Sequence, residues 1–367
     1  MRRLAIFFAI LLLVLQPRAN GTSLGFIGLL GENAGANSNV IRAEESSTPP
    51  VQVPTLSLQS IFTGPPPTYI GLDQQKVTTL VALGDVVPAL GVNAQMVQHS
   101  AFTAPFAATA SYTSRADLTV ADLGTALFDA CTPSYTDNAY CAEPGVLQGL
   151  AFAGVNVVDL ATSHMGSYGS WGLQQTENAL QAAHLAWYGR GHTTYKQVHG
   201  LTFAFLGFNG INETIDTGAM QEAIQAARQH ADVVVVSFQW GNAYSPVPMT
   251  APGSADQDPR TLAHAAVDAG ATLILGNYPV KAQGVEIYHG ALIVYAQGSF
   301  LTDQAVDPQA TQGVVGLYTF YGAHLVAVHF RAVEIGPNNQ PHFVKAVREA
   351  PILGAMRASS LAIRKGY

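Results

Sequence analysis

Val77-Thr78-Thr79-Leu80-Val81-Ala82-Leu83-Gly84-Asp85 decides how the rest of the chain is read. An uncharged run of β-branched and aliphatic residues stops on Gly-Asp, the pattern of a buried strand that ends in a functional loop. Similar apolar runs follow at 118–121, 155–160, 201–206, 233–238 and 272–275. Between them, 172–184, 220–231 and 261–269 place apolar residues on one helical face. Strand alternating with helix predicts an α/β fold in which helices cover a largely buried sheet. Beyond Ala291 the pattern is strand alone, at 292–295, 314–320 and 325–335, and predicts a second, mixed or antiparallel sheet layer. The expected class is therefore α/β, a layered sandwich of mixed β-sheets flanked by helices.

Working outward, Met1-Arg2-Arg3 followed by an apolar run over 4–15 has the charged start and short apolar core of a secretory signal peptide, with Ala19-Asn20-Gly21 as the cleavage site. The run is shorter than the roughly 20 residues that span a bilayer. No Cys follows it, which excludes a lipid anchor, and the alternative is an uncleaved anchor. Export to the bacterial envelope or beyond, with no integral membrane span after cleavage, is the expectation. Residues 22–72, rich in Pro, Ser and Gly, read as an extended, disordered spacer. A folded domain is expected over 73–350, with a tail at 351–367.

The formal charge is −7, from 17 basic and 24 acidic residues, and charged residues make up only 11% of the chain, against about 25% in an ordinary soluble protein. There is no run of Lys or Arg, so nucleic acid is not an expected partner. Cys131 and Cys141 are the only cysteines. In an exported chain they form a disulfide around a polar loop.

Four motifs stand at strand ends, where open α/β sheets place their chemistry: Leu83-Gly84-Asp85, Ala161-Thr162-Ser163-His164, Gln239-Trp240-Gly241 and Gly276-Asn277-Tyr278-Pro279-Val280. Their order and spacing, from about Val77 to about Gly322, resemble the poly-γ-glutamate capsule-synthesis protein family, CapA, whose domain is similar to the calcineurin-like metallophosphoesterases. The family's Gly-Asp block resembles Gly84-Asp85-Val86, and its Ala-Asp-x-x-x-Ala-Asn-Leu-Glu block resembles the stretch from Ala116 to Gly124. Its Ala-Asn-Asn-His block resembles Ala161-Thr162-Ser163-His164. His-Trp-Gly is matched by Gln239-Trp240-Gly241, Gly-His-His-Pro-His by Gly276-Asn277-Tyr278-Pro279-Val280, and Tyr-Ser-Leu-Gly-Asn-Phe by Tyr295-Ala296-Gln297-Gly298-Ser299-Phe300. The resemblance implies a metallophosphoesterase-like fold and a role in capsule or polyglutamate synthesis.

The backbone-shaping residues Gly84, Gly241, Gly276, Pro279 and Gly298 match, and most metal-ligand positions do not. Two ions held about 4 Å apart need a bridging carboxylate with several His, Asn and Asp ligands. Only Asp85 and His164 remain from that set, and they are the candidate catalytic residues, in vestigial form. Asp122 lies two residues before Gly124 on the same strand face, so Asp85, Asp122 and His164 are the ligands of a single divalent ion if one is retained. Otherwise Asp85 is a turn residue, Asp122 a strand-end carboxylate satisfied by backbone N–H groups, and His164 a loop hydrogen bonder. Gln239, Asn277 and Tyr278 are candidate substrate-binding residues, and the ligand is an envelope polymer or a small molecule.

Two readings follow: a binding or scaffolding protein without a cofactor, and a single-metal hydrolase of phosphoester or amide bonds. Lys196, Lys281, Arg190 and Arg260 lie near motif loops and would form a basic groove if they converge. Asp303 and Asp307 are an acid/base pair or simply solvated, and Asn212-Glu213-Thr214 is a glycosylation sequon by spelling only. Ser163 and His164, adjacent in sequence, do not make a nucleophile–base pair.

Overall fold

The computed structural model describes residues 53–63, 72–132, 140–250, 257–303 and 308–366. The predicted signal segment, most of the predicted spacer and Asp307 lie outside them. Residues 51–367 form one compact unit.

The first part of the chain builds one sheet. After a short helix α1 (Leu58–Phe62), β1 (Val77–Val86) pairs in parallel with β2 (Leu118–Leu123), which pairs with β5 (Val157–Asp159) and then β6 (Ala186–Tyr188). A small ladder of β3 (Ala126–Leu127) and β4 (Cys141–Ala142) lies between them in sequence. Helices α2 (Leu90–His99), α3 (Ala110–Thr113), α4 (Val146–Phe152) and α5 (Gly169–Ala182) fill the crossovers.

A second sheet follows, from β7 (Thr194–Val198), β8 (Leu201–Asn209), β9 (Val233–Gln239), β10 (Leu273–Asn277), β11 (Val285–Tyr288) and β12 (Ala291–Val294), in the order β11-β12-β10-β9-β8-β7. Helices α6 (Thr217–Arg228) and α7 (Pro259–Asp268) connect its parallel strands, each started by an Asp side chain (Asp216, Asp258) that accepts a backbone N–H of the first turn. The chain then returns to the first sheet. β13 (Ser299–Leu301) pairs in parallel with the end of β1, and β14 (Gln312–Tyr321), β15 (His324–Ile335) and β16 (Pro341–Phe343) extend the sheet antiparallel from the same edge of β1, opposite β2. Both sheets are mixed, as expected. The strands after Ala291 do not form a layer of their own, however: β12 completes the second sheet and β13 to β16 complete the first.

Side-chain alternation along each strand separates three cores. Leu80, Ala82, Leu118, Val120 and Val157 of the first sheet meet Phe203, Phe205, Val233, Val235, Leu273 and Leu275 of the second between the sheets. The intervening Val81, Leu83, Ala121, Leu123 and Val158 pack under α2, α4 and α5. Ala204, Leu206, Val234, Val236 and Ile274 pack under α6 and α7. Strands buried on both faces read as continuous apolar runs, which is why they were legible in the sequence.

The structure differs from the sequence reading at both ends of the domain. Residues read as a tail lie in α8 (Ala346–Lys365), whose Ile352, Met356 and Ile363 are buried. Its Ser359 and Ser360 hydroxyls accept the backbone N–H groups of Gly284 and Val285, which cover the start of edge strand β11. Pro351 within the helix, and small or polar residues on its packed face, hide its periodicity. In residues read as spacer, α1 packs Ile61 and Phe62 against the inter-sheet core, with Phe62 stacked on Phe330. No helix of the described residues is long and apolar enough to cross a membrane.

Cys131 and Cys141 are joined, closing a loop of sequence separation 10. Replacing both by Ser is expected to lower stability by about 3 kcal/mol, on the chain-entropy account, read as a shift of the urea midpoint without loss of the folded far-ultraviolet spectrum.

Candidate functional site

At the carboxyl ends of the strands the inter-sheet core changes from apolar to polar. In the first sheet Asp85, Asp122 and Asp159 stand side by side in register on β1, β2 and β5. In the second, Asn209, Gln239 and Asn277 stand side by side on β8, β9 and β10. Asp122 and Asp159 continue the parity of Val120 and Val157, and the three amides continue that of Phe205, Val235 and Leu275. A row of carboxyls thus faces a row of carboxamides across the gap between the sheets.

Asp85 joins its row only because β1 is irregular. Its parity is that of Val81 and Leu83, which face the helices, but the register shifts between Ala82 and Asp85. A bulge inserts a residue and re-aims the next side chain. The Gly298 carbonyl accepts the Asp85 N–H at 2.9 Å, and the Gln297 amide donates to the Ala82 carbonyl at 2.9 Å. A Cβ on Gly84 would stand 2.1 Å from the Gly298 oxygen, and Gly298 itself has φ +71°. Both positions therefore require glycine, which is the physical content of the Gly84 and Gly298 matches. Gly276 is fixed the same way, since a Cβ there would lie 2.0 Å from the Tyr295 oxygen.

Each carboxyl has its own partner. Asp85 Oδ1 accepts the Tyr278 N–H at 3.1 Å, from a residue held at φ +87°. Asp122 Oδ2 accepts from Gln239 Nε2 at 3.1 Å, while Gln239 Oε1 accepts the Ser163 N–H at 2.7 Å. Asp159 Oδ1 accepts the Ala161 N–H at 2.8 Å. Its carboxyl also meets Ser237, whose hydroxyl lies 2.6 Å from the Tyr188 hydroxyl. Ala161, Ser163 and Thr162, the last through its hydroxyl on the Leu123 carbonyl, lock the Ala-Thr-Ser-His block to both sheets.

Burial is the main influence on these acids. Asp85, Asp122 and Asp159 are 8%, 3% and 1% exposed. Desolvation holds Asp85 well above the usual carboxylate range, the neighbouring Asp122 charge adding to it, and pushes Asp122 up to about 6. Asp159 is raised by burial and then by Asp122. Asp85 and Asp122 are neighbours on adjacent strands, so burial and their mutual repulsion disfavour ionising both. Asp122 Oδ1, Asp159 Oδ2 and Asn277 Oδ1 are buried acceptors without a donor.

A cleft of about 390 Å³ opens above Asp85. Tyr140, His164, Tyr244 and Tyr278 line it with Gln239, Ser163 and Val280. The His164 ring lies flat on Tyr140, centroids 3.7 Å apart, and burial lowers its basicity. Of the residues expected to bind substrate, Gln239 and Tyr278 are on the cleft wall, whereas Asn277 is buried and does not line it. The proposed basic groove does not assemble: Arg190 pairs with Glu213 and Arg260 with Glu286, Lys281 lines a separate cleft beside α8, and Lys196 stands on β7. Asp303 accepts the Gly91 N–H at the start of α2.

The residues present do not fit a two-ion centre. Gln239 uses both ends of its amide within the protein, Val280 is hydrocarbon, and Gly124 has no side chain. Among the described residues no three His, Cys, Asp or Glu side chains form a metal-holding group. Asp85 and Asp122 meet, while His164 is stacked on Tyr140.

Sequence reasoning passed over Asp159, although a lone acid in an apolar run just before a motif is a usable signal. It also passed over Tyr140 and Tyr244, which reach the cleft from loops and carry no periodic signal.

The chain matches the family described as bacterial capsule synthesis protein PGA_cap over residues 79–304. It is 31% identical over 173 residues to the PGA biosynthesis protein CapA of Bacillus subtilis (strain 168), covering 40% of this chain and 43% of that protein. It is 30% identical over 187 residues to the capsule biosynthesis protein CapA of Bacillus anthracis, covering 44% of each. The chain thus spans less than half the length of these relatives. Among solved structures, a hypothetical protein from Thermus thermophilus superposes with a TM-score of 0.46 at 16% identity, over 70% of this chain and 99% of the other. GAP50, the anchor in the inner membrane complex of Plasmodium, gives 0.37 at 12% identity, over 76% and 95%. Because the family match takes in more than half of its residues, this chain belongs to the bacterial capsule synthesis protein PGA_cap family.

Proposed function

We propose that this protein serves capsule or poly-γ-glutamate biosynthesis outside the cytoplasm as a binding or scaffolding component, with a strand-end cleft that binds a ligand without two-metal hydrolysis. The Gln239 amide carries this reading. At the position where the family resemblance expects a histidine ligand, Gln239 donates to Asp122 and accepts from Ser163, so the second sheet presents a donor where a cation would need an acceptor. Substitution has turned a metal-holding position into a hydrogen-bonded clamp between the sheets. Secretion rests on the amino-terminal sequence and on the disulfide, which belongs to an oxidising compartment.

A single-ion hydrolase is the second reading, favoured by the buried acceptors Asp122 Oδ1 and Asn277 Oδ1. An all-oxygen set of this kind suits a hard cation.

Elemental analysis separates the two. After equilibration with manganese, zinc and magnesium and removal of free ions, the protein is expected to retain no stoichiometric metal. Near-stoichiometric retention that disappears in Asp85→Ala overturns the binding role in favour of the single-ion hydrolase.

Stability against pH gives an independent check. Folding raises the Asp122 pKa to about 6, so the folded state prefers the protonated carboxyl. The stability that the protonated form contributes is complete below the ordinary carboxyl pKa of about 4 and is lost as pH rises through about 6. Urea midpoints are expected to fall by the equivalent of about 1 to 3 kcal/mol across that window in the wild type, and to fall less in Asp122→Asn, whose amide does not ionise.

A further inference from the structure

We propose that the strand-end cleft takes an amino sugar in its ammonium form, with the tyrosine rings against the sugar ring and the Asp85 carboxyl toward the charged nitrogen. This rests on the binding role inferred above and names the ligand class of that site. Two observations carry it.

The first is the sign of the site. Asp85 lines the cleft, Asp122 and Asp159 stand beside it in register, and no Lys or Arg lines the cleft among the described residues. With no cationic side chain on its wall, the cleft offers an anionic ligand no counter-charge, whereas a bound ammonium group meets the Asp85 carboxyl as an ion-pair and hydrogen-bond partner. A glutamate polymer, one carboxylate per residue, is therefore the wrong charge for this cleft.

The second is its surface. Tyr140, Tyr244 and Tyr278 all line it, and Tyr244 is 44% exposed. Aromatic faces attract an ammonium group and cover apolar C–H surface, while their hydroxyls exchange hydrogen bonds with a hydroxyl-rich ligand. Ser163, Ser299 and Thr302 add further small polar groups. A pyranose bearing an ammonium group answers both the charge and the hydroxyl pattern, and a cleft of about 390 Å³ has room for a short oligosaccharide.

The test is isothermal titration calorimetry of the full chain with three probes: a glucosamine dimer, its N-acetylated counterpart, and a short poly-γ-glutamate. The glucosamine dimer is expected to bind at least about tenfold more tightly than the acetylated dimer, because acetylation removes the charge. Poly-γ-glutamate is expected to give no heat of binding. Asp85→Asn and the rim variant Tyr244→Ala should each weaken the glucosamine dimer severalfold. Tyr244 is exposed enough that its loss leaves the fold intact, so the result does not depend on the buried variant folding.

Equal or tighter binding of the acetylated dimer, binding of poly-γ-glutamate that Tyr244→Ala abolishes, or no binding of the glucosamine dimer at tens of millimolar overturns the inference. None of these alters the metal result, which tests the binding role separately.

Discussion

Three buried carboxyls on one sheet face three carboxamides on the other, and the arrangement of the domain's functional end depends on that confrontation. A buried acid without a counter-charge must be protonated or hydrogen-bonded. Here the partners come from the second sheet and from the loops that leave the strands. Gln239 reaches Asp122, the Tyr278 N–H reaches Asp85, and Ala161 and Ser237 reach Asp159. The same bonds that satisfy the acids fix the loops that form the cleft wall. Polar satisfaction and site geometry are one set of contacts.

The electrostatics follow from this construction. The acids are held by burial and by dipoles rather than by Lys or Arg, so the end of the inter-sheet core has no cation of its own beside them. The few basic residues near the motifs are engaged elsewhere, Arg190 with Glu213 and Arg260 with Glu286. Family membership and the ammonium ligand inferred above are compatible if this cleft recognises another envelope component and a carboxylate polymer is handled by other surfaces. In that arrangement, family membership describes the process and the cleft describes one contact within it.

Much of the frame was legible from sequence because strands buried on two faces leave long apolar runs, and because Gly84, Gly276 and Gly298 mark positions where backbones nearly touch. What stayed hidden was non-local. Nothing along 291–335 says that the chain turns back to complete the first sheet, since antiparallel strands look alike whichever partner they take. Helix α8 packs through small and polar side chains such as Ser359 and Ser360, and so lacks the apolar stripe that announces a helix. Asp85 itself was visible, but its direction was not: parity along β1 turns it toward the helices, and only the bulge held from Gly298 turns it inward. Gln239 reads as a weakened ligand because a sequence shows which residue stands at a position, and not that both ends of its amide are already engaged.

The bulge has a consequence for the order in which the molecule comes together. Its clamp is supplied by Gln297 and Gly298, more than 200 residues downstream of the strand it bends, at a sequence separation of 215 for the Gln297 contact. A chain threaded amino-terminus first presents β1 long before that clamp exists, and until then nothing turns Asp85 out of phase with its strand. Contacts so distant in sequence are the slowest to form. The frame of the first sheet can assemble from its early strands, but its chemistry waits for the return of the chain, so a partly extruded or truncated molecule carries a sheet without a site.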